Sequence, residues 1–185
     1  MHNLLTAKST FSQLVIVDMQ ARLATAMPLE AMQSVTKNAA ILAQAATLLT
    51  VPTLVTEQYP KGLGNTIAEL SAFLPNIKPV DKLCFSCMAE AWFSRQLTAD
   101  RPQMVLAGME THVCVLQTAL DMLRVGKQVF VVEDAVISRN AANKANAIAR
   151  LRDAGCIITN TESVVFEWLG VASGEHFKAI SQLIR

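Results

Sequence analysis

The feature that most constrains the fold is the regular alternation of short apolar runs with longer segments of helical pattern. The first run, residues 14–17, is apolar throughout and leads directly into Asp18. Such runs are typical of parallel strands buried on both faces, and parallel neighbours are joined by crossover helices. The alternation therefore predicts an α/β fold with helices on both faces of a parallel sheet.

The pattern resolves into six strands and seven helices. The predicted strands span residues 14–17, 53–56, 79–82, 104–107, 128–132 and 156–159. The predicted helices span residues 28–49, 66–73, 89–97, 111–125, 141–154, 162–169 and 175–183. Gly126 and Gly155 stand where two of these helices should stop. No repeat, low-complexity segment or flexible linker interrupts the pattern, so residues 1–185 are predicted to form one domain.

Three reactive side chains stand at or beyond the carboxyl ends of predicted strands: Asp18, Lys82 and Cys114. Ligands of parallel α/β sheets bind at this edge, near the point where strand order reverses. A thiol in the first turn of a helix faces the positive end of the helix dipole, so we expect a lowered pKa for Cys114. Asp18 would exchange protons and Lys82 would favour the thiolate. The pattern predicts nucleophilic catalysis by Cys114.

Each of these residues also has a structural interpretation. Cys114 would be a core cysteine, Asp18 a cap or a loop hydrogen-bonding group, and Lys82 a solvated surface lysine. None of the three makes the case alone. Their convergence on one edge of the sheet favours the catalytic interpretation.

Two further cysteines, Cys84 and Cys87, have the C-x-x-C spacing found in redox and zinc sites. A second ligand pair is missing, because His2, His112 and His176 form no pair at ligand spacing. We therefore expect no metal and no cofactor, and interpret Cys84 and Cys87 as two buried thiols near a strand end. Phosphate-binding loops and the G-x-S-x-G motif are absent from the sequence.

Composition limits which molecules the protein is expected to associate with. Apolar residues make up 52% of the chain and charged residues 17%. A monomer of this size would struggle to bury so much apolar surface, so we expect a homo-oligomer, either a dimer or a tetramer. The net charge of +1 gives no support to a nucleic-acid or membrane partner. No secretory leader is recognisable, so the expected location is the cytoplasm, where thiols stay reduced.

Several segments carry a resemblance that covers nearly the whole chain. They are residues 14–20 (LVIVDMQ), 56–64 (TEQYPKGLG), 82–86 (KLCFS) and 108–114 (GMETHVC), followed by residues 117–120, 134–135 and 138–139. With them the sequence resembles the isochorismatase-like cysteine hydrolase family. The resemblance implies a three-layer α/β/α fold with a six-stranded parallel sheet in the Rossmann-like order 3-2-1-4-5-6. It also implies a catalytic triad of Asp18, Lys82 and Cys114.

The same resemblance implies a cis peptide bond between Met109 and Glu110, which would aim the N–H groups of Glu110 and Cys114 at one oxyanion. The substrate of such an enzyme is a small molecule. We expect its pocket to be lined by Gln20, Tyr59, Phe85 and Thr111.

Two departures from the family pattern narrow the reaction. Metal-dependent nicotinamidases carry Asp-x-His where this chain has Gln58, Tyr59 and Pro60, and isochorismatases proper lack the cysteine present here as Cys114. The sequence therefore predicts a metal-independent hydrolase that cleaves an amide or imide C–N bond through a thioester-type intermediate. The alternative is a catalytically silent, oligomeric binding or scaffold protein with a redox-sensitive thiol.

Overall fold

The computed structural model describes residues 5–185 and has a parallel sheet at its centre. The strands are β1 (Ser12–Val17), β2 (Thr53–Gln58), β3 (Val80–Lys82), β4 (Gln103–Met109), β5 (Gln128–Ile137) and β6 (Ile157–Thr159). They pair in the order β3-β2-β1-β4-β5-β6, and every pairing is parallel. The predicted six-stranded, Rossmann-like order is therefore confirmed.

The helices within residues 5–185 surround this sheet. They are α1 (Ala21–Ala24), α2 (Leu29–Leu48), α3 (Pro60–Leu63), α4 (Ala68–Ser71), α5 (Ala91–Arg95), α6 (Leu116–Arg124), α7 (Ala141–Asp153), α8 (Thr161–Leu169) and α9 (Phe177–Leu183). None of these helices has the length and hydropathy required to cross a membrane.

Buried strand residues hold the layers together. Every residue of β1 and of β4 is buried, as continuous apolar runs predict. Leu14 and Ile16 pack in a cluster with α2, α4, α8 and α9, whereas Val15 and Val17 pack with α5, α6 and α7. Since successive residues of a strand face opposite sides of the sheet, helices cover both faces. This arrangement confirms the three-layer α/β/α fold.

The structure differs from the sequence-based expectation after β4. The helix predicted over residues 111–125 begins as a π-type turn, Thr111–Val115, and only then continues as α6. The Val115 N–H donates to the Glu110 carbonyl at 3.3 Å, five residues back. Hydrophobic periodicity does not distinguish such a turn from an α-helix, because the turn shifts the register by a single residue.

The strand order reverses between β1 and β4, and Gly108 allows these strands to approach closely there. Gly108 has a φ of 122°, and a Cβ at this position would lie 2.0 Å from the Val17 carbonyl oxygen. No side chain fits into that space. Gly108 thus brings the end of β4, and the turn that follows it, directly beside the end of β1.

Candidate active site

Three side chains meet at the carboxyl edge of the sheet, at the reversal of strand order. Asp18 follows β1, Lys82 ends β3, and Cys114 lies in the turn after β4. All three are buried, with Cys114 at 6% exposure. The structure therefore brings together the three residues that the strand ends singled out.

The Asp18 carboxylate is held at both oxygens. Its Oδ2 atom lies 2.6 Å from Lys82 Nζ, and its Oδ1 atom accepts a hydrogen bond from the Thr56 hydroxyl at 2.7 Å. Asp18 has a left-handed backbone conformation with a φ of 51°, which Asp tolerates better than most residues. The carboxylate is consequently fixed in one orientation before any substrate binds.

The Lys82 ammonium lies among four oxygen acceptors. Asp18 Oδ2 is at 2.6 Å, Gln58 Oε1 at 2.7 Å, and the carbonyl oxygens of Phe85 and Cys84 are at 3.2 and 3.3 Å. An ammonium has three protons, so these acceptors engage all of them. Burial alone would lower the pKa of Lys82, but the negative charge of Asp18 and the neighbouring thiols raise it overall. Lys82 therefore stays cationic beside Asp18.

The Cys114 thiol keeps its proton in the resting protein. Burial raises the pKa of Cys114 to about 12, Asp18 adds to the increase, and Lys82 opposes it only in part. The expected lowering of this pKa is therefore wrong. Cys114 lies in the π-type turn ahead of α6, where desolvation and a carboxylate dominate any effect of the helix end. Asp18 is close enough to the thiol to act on its pKa, so the thiol proton has a candidate acceptor nearby.

The segment just before this turn contains a cis peptide bond between Met109 and Glu110, at the position that the resemblance implied. The Glu110 carboxylate is turned toward Arg139. It accepts the Arg139 N–H at 3.1 Å and lies 3.6 Å from the guanidinium. Glu110 would therefore contribute its backbone, rather than its carboxylate, to an oxyanion site, and this role remains a prediction.

The four expected pocket residues occupy different environments. Tyr59 and Phe85 are 52% and 55% exposed. Thr111 is buried, and its hydroxyl has no hydrogen-bond partner among residues 5–185. Gln20 is fully buried and does not fit the expectation of a pocket wall, because its amide is saturated by backbone groups. It donates to the carbonyls of Gln58 and Gly64 and accepts the Gln58 N–H, which fixes the loop between these residues.

Sequence reasoning missed Gln58 as a member of the site. Its Oε1 atom accepts a hydrogen bond from Lys82 Nζ and lies 4.0 Å from Cys114 Sγ. Gln58 is the last residue of β2, between the strands that carry Asp18 and Lys82. Gln58 thus occupies a strand end as Asp18 and Lys82 do, and its position is the sequence signal that marks it, although an amide is not itself a reactive group.

The cysteines of the C-x-x-C motif lie in unlike environments. Cys87 is buried, and its thiol contacts the Thr56 hydroxyl at 3.7 Å, but Cys84 is exposed. Describing both as buried thiols was therefore wrong for Cys84. The Ser86 hydroxyl caps the short 3₁₀ turn at 87–89, and Cys87 is the buried residue of this turn. Within the described part of the chain, no three His, Cys, Asp or Glu residues lie close enough together to hold a metal ion.

Two cavities differ in their relation to the site. A groove of about 860 Å³ between α2, α4 and the C-terminal residues contains none of the three reactive residues. A smaller cavity of about 290 Å³ is lined by Tyr59, Lys82 and Leu83, among others. Lys82 is the reactive residue that lines the smaller cavity, so this cavity is the better candidate for an entrance, and its size suits a small molecule.

The fold and the site define a class of three-layer α/β proteins with a carboxylate, a lysine and a thiol at the carboxyl edge of the sheet. A family profile described as the isochorismatase domain matches residues 12–163. The chain belongs to the isochorismatase family. Membership of this family supports a hydrolase.

Individual relatives agree with this assignment. The secreted isochorismatase effector Isc1 of Phytophthora sojae is 44% identical over 150 residues, which cover 78% of this chain and 71% of that protein. A structure described as the MAR1 ribonuclease of Caenorhabditis elegans is 36% identical, with a TM-score of 0.91 and coverage of 97% and 92%. YcaC of Pseudomonas aeruginosa, solved with hexane-2,5-diol and covalent acrylamide, is 25% identical, with a TM-score of 0.85 and coverage of 100% and 96%.

Proposed function

We propose that this protein is a cysteine hydrolase that cleaves the C–N bond of a small amide or imide. Cys114 is the nucleophile, Asp18 the proton carrier and Lys82 the cation that orients Asp18 and stabilises negative charge on the sulfur. The observation that carries the proposal is the buried ion pair of 2.6 Å between Asp18 and Lys82 beside a buried thiol. A base next to a thiol is the arrangement that nucleophilic catalysis requires.

The first half of the reaction acylates the sulfur. The Cys114 proton moves to Asp18 while the sulfur attacks the carbonyl carbon, and the carbonyl oxygen becomes an oxyanion. The backbone N–H groups of Glu110 and Cys114 receive this oxyanion. Asp18 then passes its proton to the leaving nitrogen, the C–N bond breaks, and a thioester on Cys114 remains.

The second half restores the enzyme. Asp18 takes a proton from a water molecule, whose oxygen attacks the thioester carbon. When the C–S bond breaks, the proton returns from Asp18 to the sulfur and the carboxylic acid product leaves. Since the resting thiol is protonated, every cycle includes a proton transfer from the sulfur to Asp18.

The comparisons support an electrophilic substrate. YcaC of Pseudomonas aeruginosa holds covalent acrylamide, a small amide with an electrophilic carbon. The relative from Caenorhabditis elegans is described as a ribonuclease, but the net charge of +1 in this chain provides little attraction for a polyanion. An RNA oligonucleotide therefore belongs in the substrate panel as the competing class.

The test is a panel of small amides and imides with the wild type and Cys114→Ala. We expect turnover that Cys114→Ala abolishes, together with an acyl adduct on Cys114 in acid-quenched reactions analysed by mass spectrometry. Cys156→Ala is the matched control, because Cys156 is also buried and raised in pKa to about 12, by burial alone. Turnover that survives in Cys114→Ala, or hydrolysis of RNA in place of the amides, would contradict the proposal.

The proposed site supplies its own nucleophile and proton carrier, so we also propose that hydrolysis needs no metal and withstands EDTA. A free-thiol nucleophile suits a reducing compartment, and we propose the cytoplasm as the location.

Exposed apolar side chains such as Leu29, Leu83 and Trp92 support a homo-oligomer, a dimer or a tetramer. Light scattering on the purified protein measures the oligomeric state, and a monomeric mass would contradict the proposed oligomer.

A further inference from the structure

The Gln58 side chain connects three parts of the site. Its Oε1 atom accepts a hydrogen bond from the Lys82 ammonium at 2.7 Å. The same atom lies 4.0 Å from the Cys114 sulfur, with the thiol as donor. Gln58 is therefore in contact with both the cation and the nucleophile.

The orientation of this amide is fixed by its other end. Gln58 Nε2 donates to the carbonyl oxygen of Leu83 at 2.8 Å. An amide flipped by half a turn would direct two N–H donors at the Lys82 ammonium and an oxygen at the Leu83 carbonyl. Only the observed orientation satisfies all three neighbours, so the oxygen must face the ammonium and the thiol.

We propose that Gln58 is a positioning residue that keeps the proton on the Cys114 sulfur until substrate binds and holds the Lys82 ammonium against Asp18. The inference rests on the proposed hydrolase function, in which this proton passes through Asp18 to the leaving nitrogen. If the thiol lost its proton to solvent beforehand, Asp18 would have none to donate. A resting thiolate would therefore be more reactive toward alkylating reagents and less effective in turnover.

The groups around the Cys114 thiol determine how loss of the Gln58 oxygen should change the balance between thiol and thiolate. Asp18 at the end of β1 and the Cys87 thiol favour the protonated form, whereas Lys82 at the end of β3 favours the thiolate. The amide oxygen of Gln58 accepts from the thiol and engages one ammonium proton. Removing this oxygen frees that ammonium proton beside the sulfur, and both changes favour the thiolate.

Two substitutions should act in opposite directions on the thiol. Gln58→Leu removes the acceptor, so Cys114 should alkylate faster, by about threefold or more, which corresponds to a pKa lower by about half a unit. Gln58→Glu adds a negative charge beside the sulfur, so alkylation should slow by a similar factor, about threefold. Hydrolysis of the amide substrate should fall in both variants, with the loss in kcat rather than in KM.

Alkylation is measured with iodoacetamide at one mildly alkaline pH. Peptide mass spectrometry distinguishes Cys114 from the other three of the four cysteines in the chain. This readout needs no substrate, so it tests Gln58 even if the hydrolase proposal fails. Gln44→Leu is the matched control, since Gln44 is a half-buried glutamine on α2 that donates to the Ala40 carbonyl. It should leave alkylation and turnover unchanged.

The alkylation rate should rise in Gln58→Leu and fall in Gln58→Glu. A merely structural role for Gln58 would change the rate in the same direction in both variants. Alkylation that is unchanged, or that shifts in the same direction in the two variants, would overturn the inference. If Gln58→Leu does not fold, Gln58→Met replaces it, because it also lacks the amide oxygen and fills a similar volume: faster alkylation with native circular dichroism supports the inference, and slower or unchanged alkylation overturns it.

Discussion

Lys82 Nζ lies 2.6 Å from Asp18 Oδ2, and neither side chain is exposed to solvent. Two buried opposite charges stabilise each other, but either one alone is an uncompensated charge in the core. Lys82→Met should therefore lower the free energy of unfolding by about 3–5 kcal/mol, measured by urea denaturation. It should also abolish hydrolysis.

The double variant Asp18→Asn with Lys82→Met is the control for this interpretation. It removes both charges, so it should regain most of the stability lost in Lys82→Met while remaining inactive. If the double variant were as unstable as the single one, the loss would come from packing around the lysine stem rather than from an unpaired carboxylate.

Thr56 supports the same carboxylate from the other side. Its hydroxyl donates to Asp18 Oδ1 at 2.7 Å, and valine has the same shape without this donor. Thr56→Val should cost about 1–3 kcal/mol of stability, because a buried carboxylate oxygen loses its partner. Thr56→Ser keeps the hydroxyl and should retain activity. Equal turnover in the two variants, measured with a substrate from the amide panel, would show that this hydrogen bond is dispensable.

Gly108 should tolerate no side chain. A Cβ there would lie 2.0 Å from the Val17 carbonyl oxygen, whereas a Cβ at Gly126 meets no atom within 4 Å. Both residues have positive φ, so Gly126→Ala shares the backbone strain without the clash and should cost about 1 kcal/mol. Gly108→Ala should prevent native folding or lower the melting temperature far more than Gly126→Ala does. Similar melting temperatures would contradict the close approach of β1 and β4.

The buried thiols make stability depend on alkaline pH. Burial raises the pKa of Cys156 from 9.0 to about 12. Below pH 9 both states hold the proton, but between these values the unfolded chain releases it and the folded chain does not. Stability therefore falls as pH rises through this window, by about 1.4 kcal/mol per pH unit for each such thiol.

Cys156→Ala isolates this effect, because the difference from the wild type cancels every other titrating group. The stability of the wild type relative to Cys156→Ala should fall steadily as pH rises above 9, because only the wild type carries this thiol. The lost side chain adds a difference that does not depend on pH. Parallel curves of stability against pH would mean that Cys156 titrates alike in the folded and unfolded states.

The positions of the reactive residues could be predicted from the sequence because they depend on chain direction alone. A residue that ends a parallel strand must lie at the carboxyl edge of the sheet, so Asp18 and Lys82 were found from their place after apolar runs. Cys114 followed from the same rule applied to the next crossover. The strand order itself came from the family resemblance, since periodicity does not specify which strands are neighbours.

The environment of each side chain could not be predicted, because it depends on contacts between distant segments. The pKa of Cys114 was expected to fall, yet burial and Asp18 raise it. The resemblance predicts Gln20 as a pocket residue, but its amide is engaged by three backbone groups. The contacts of Gln58 link it to residues 24 and 56 positions away, a range that no local pattern reports.

Two of the acceptors around the Lys82 ammonium are backbone carbonyls, those of Cys84 and Phe85. Every amino acid provides the same carbonyl, so the side chains of this loop can change without removing an acceptor from the cation. Cys84 and Phe85 are both exposed, as is Leu83. These three exposed side chains can therefore vary without removing the carbonyl groups that hold the Lys82 ammonium. A library randomised at the three positions should keep the contact between Lys82 and Asp18 while it changes the surface beside it.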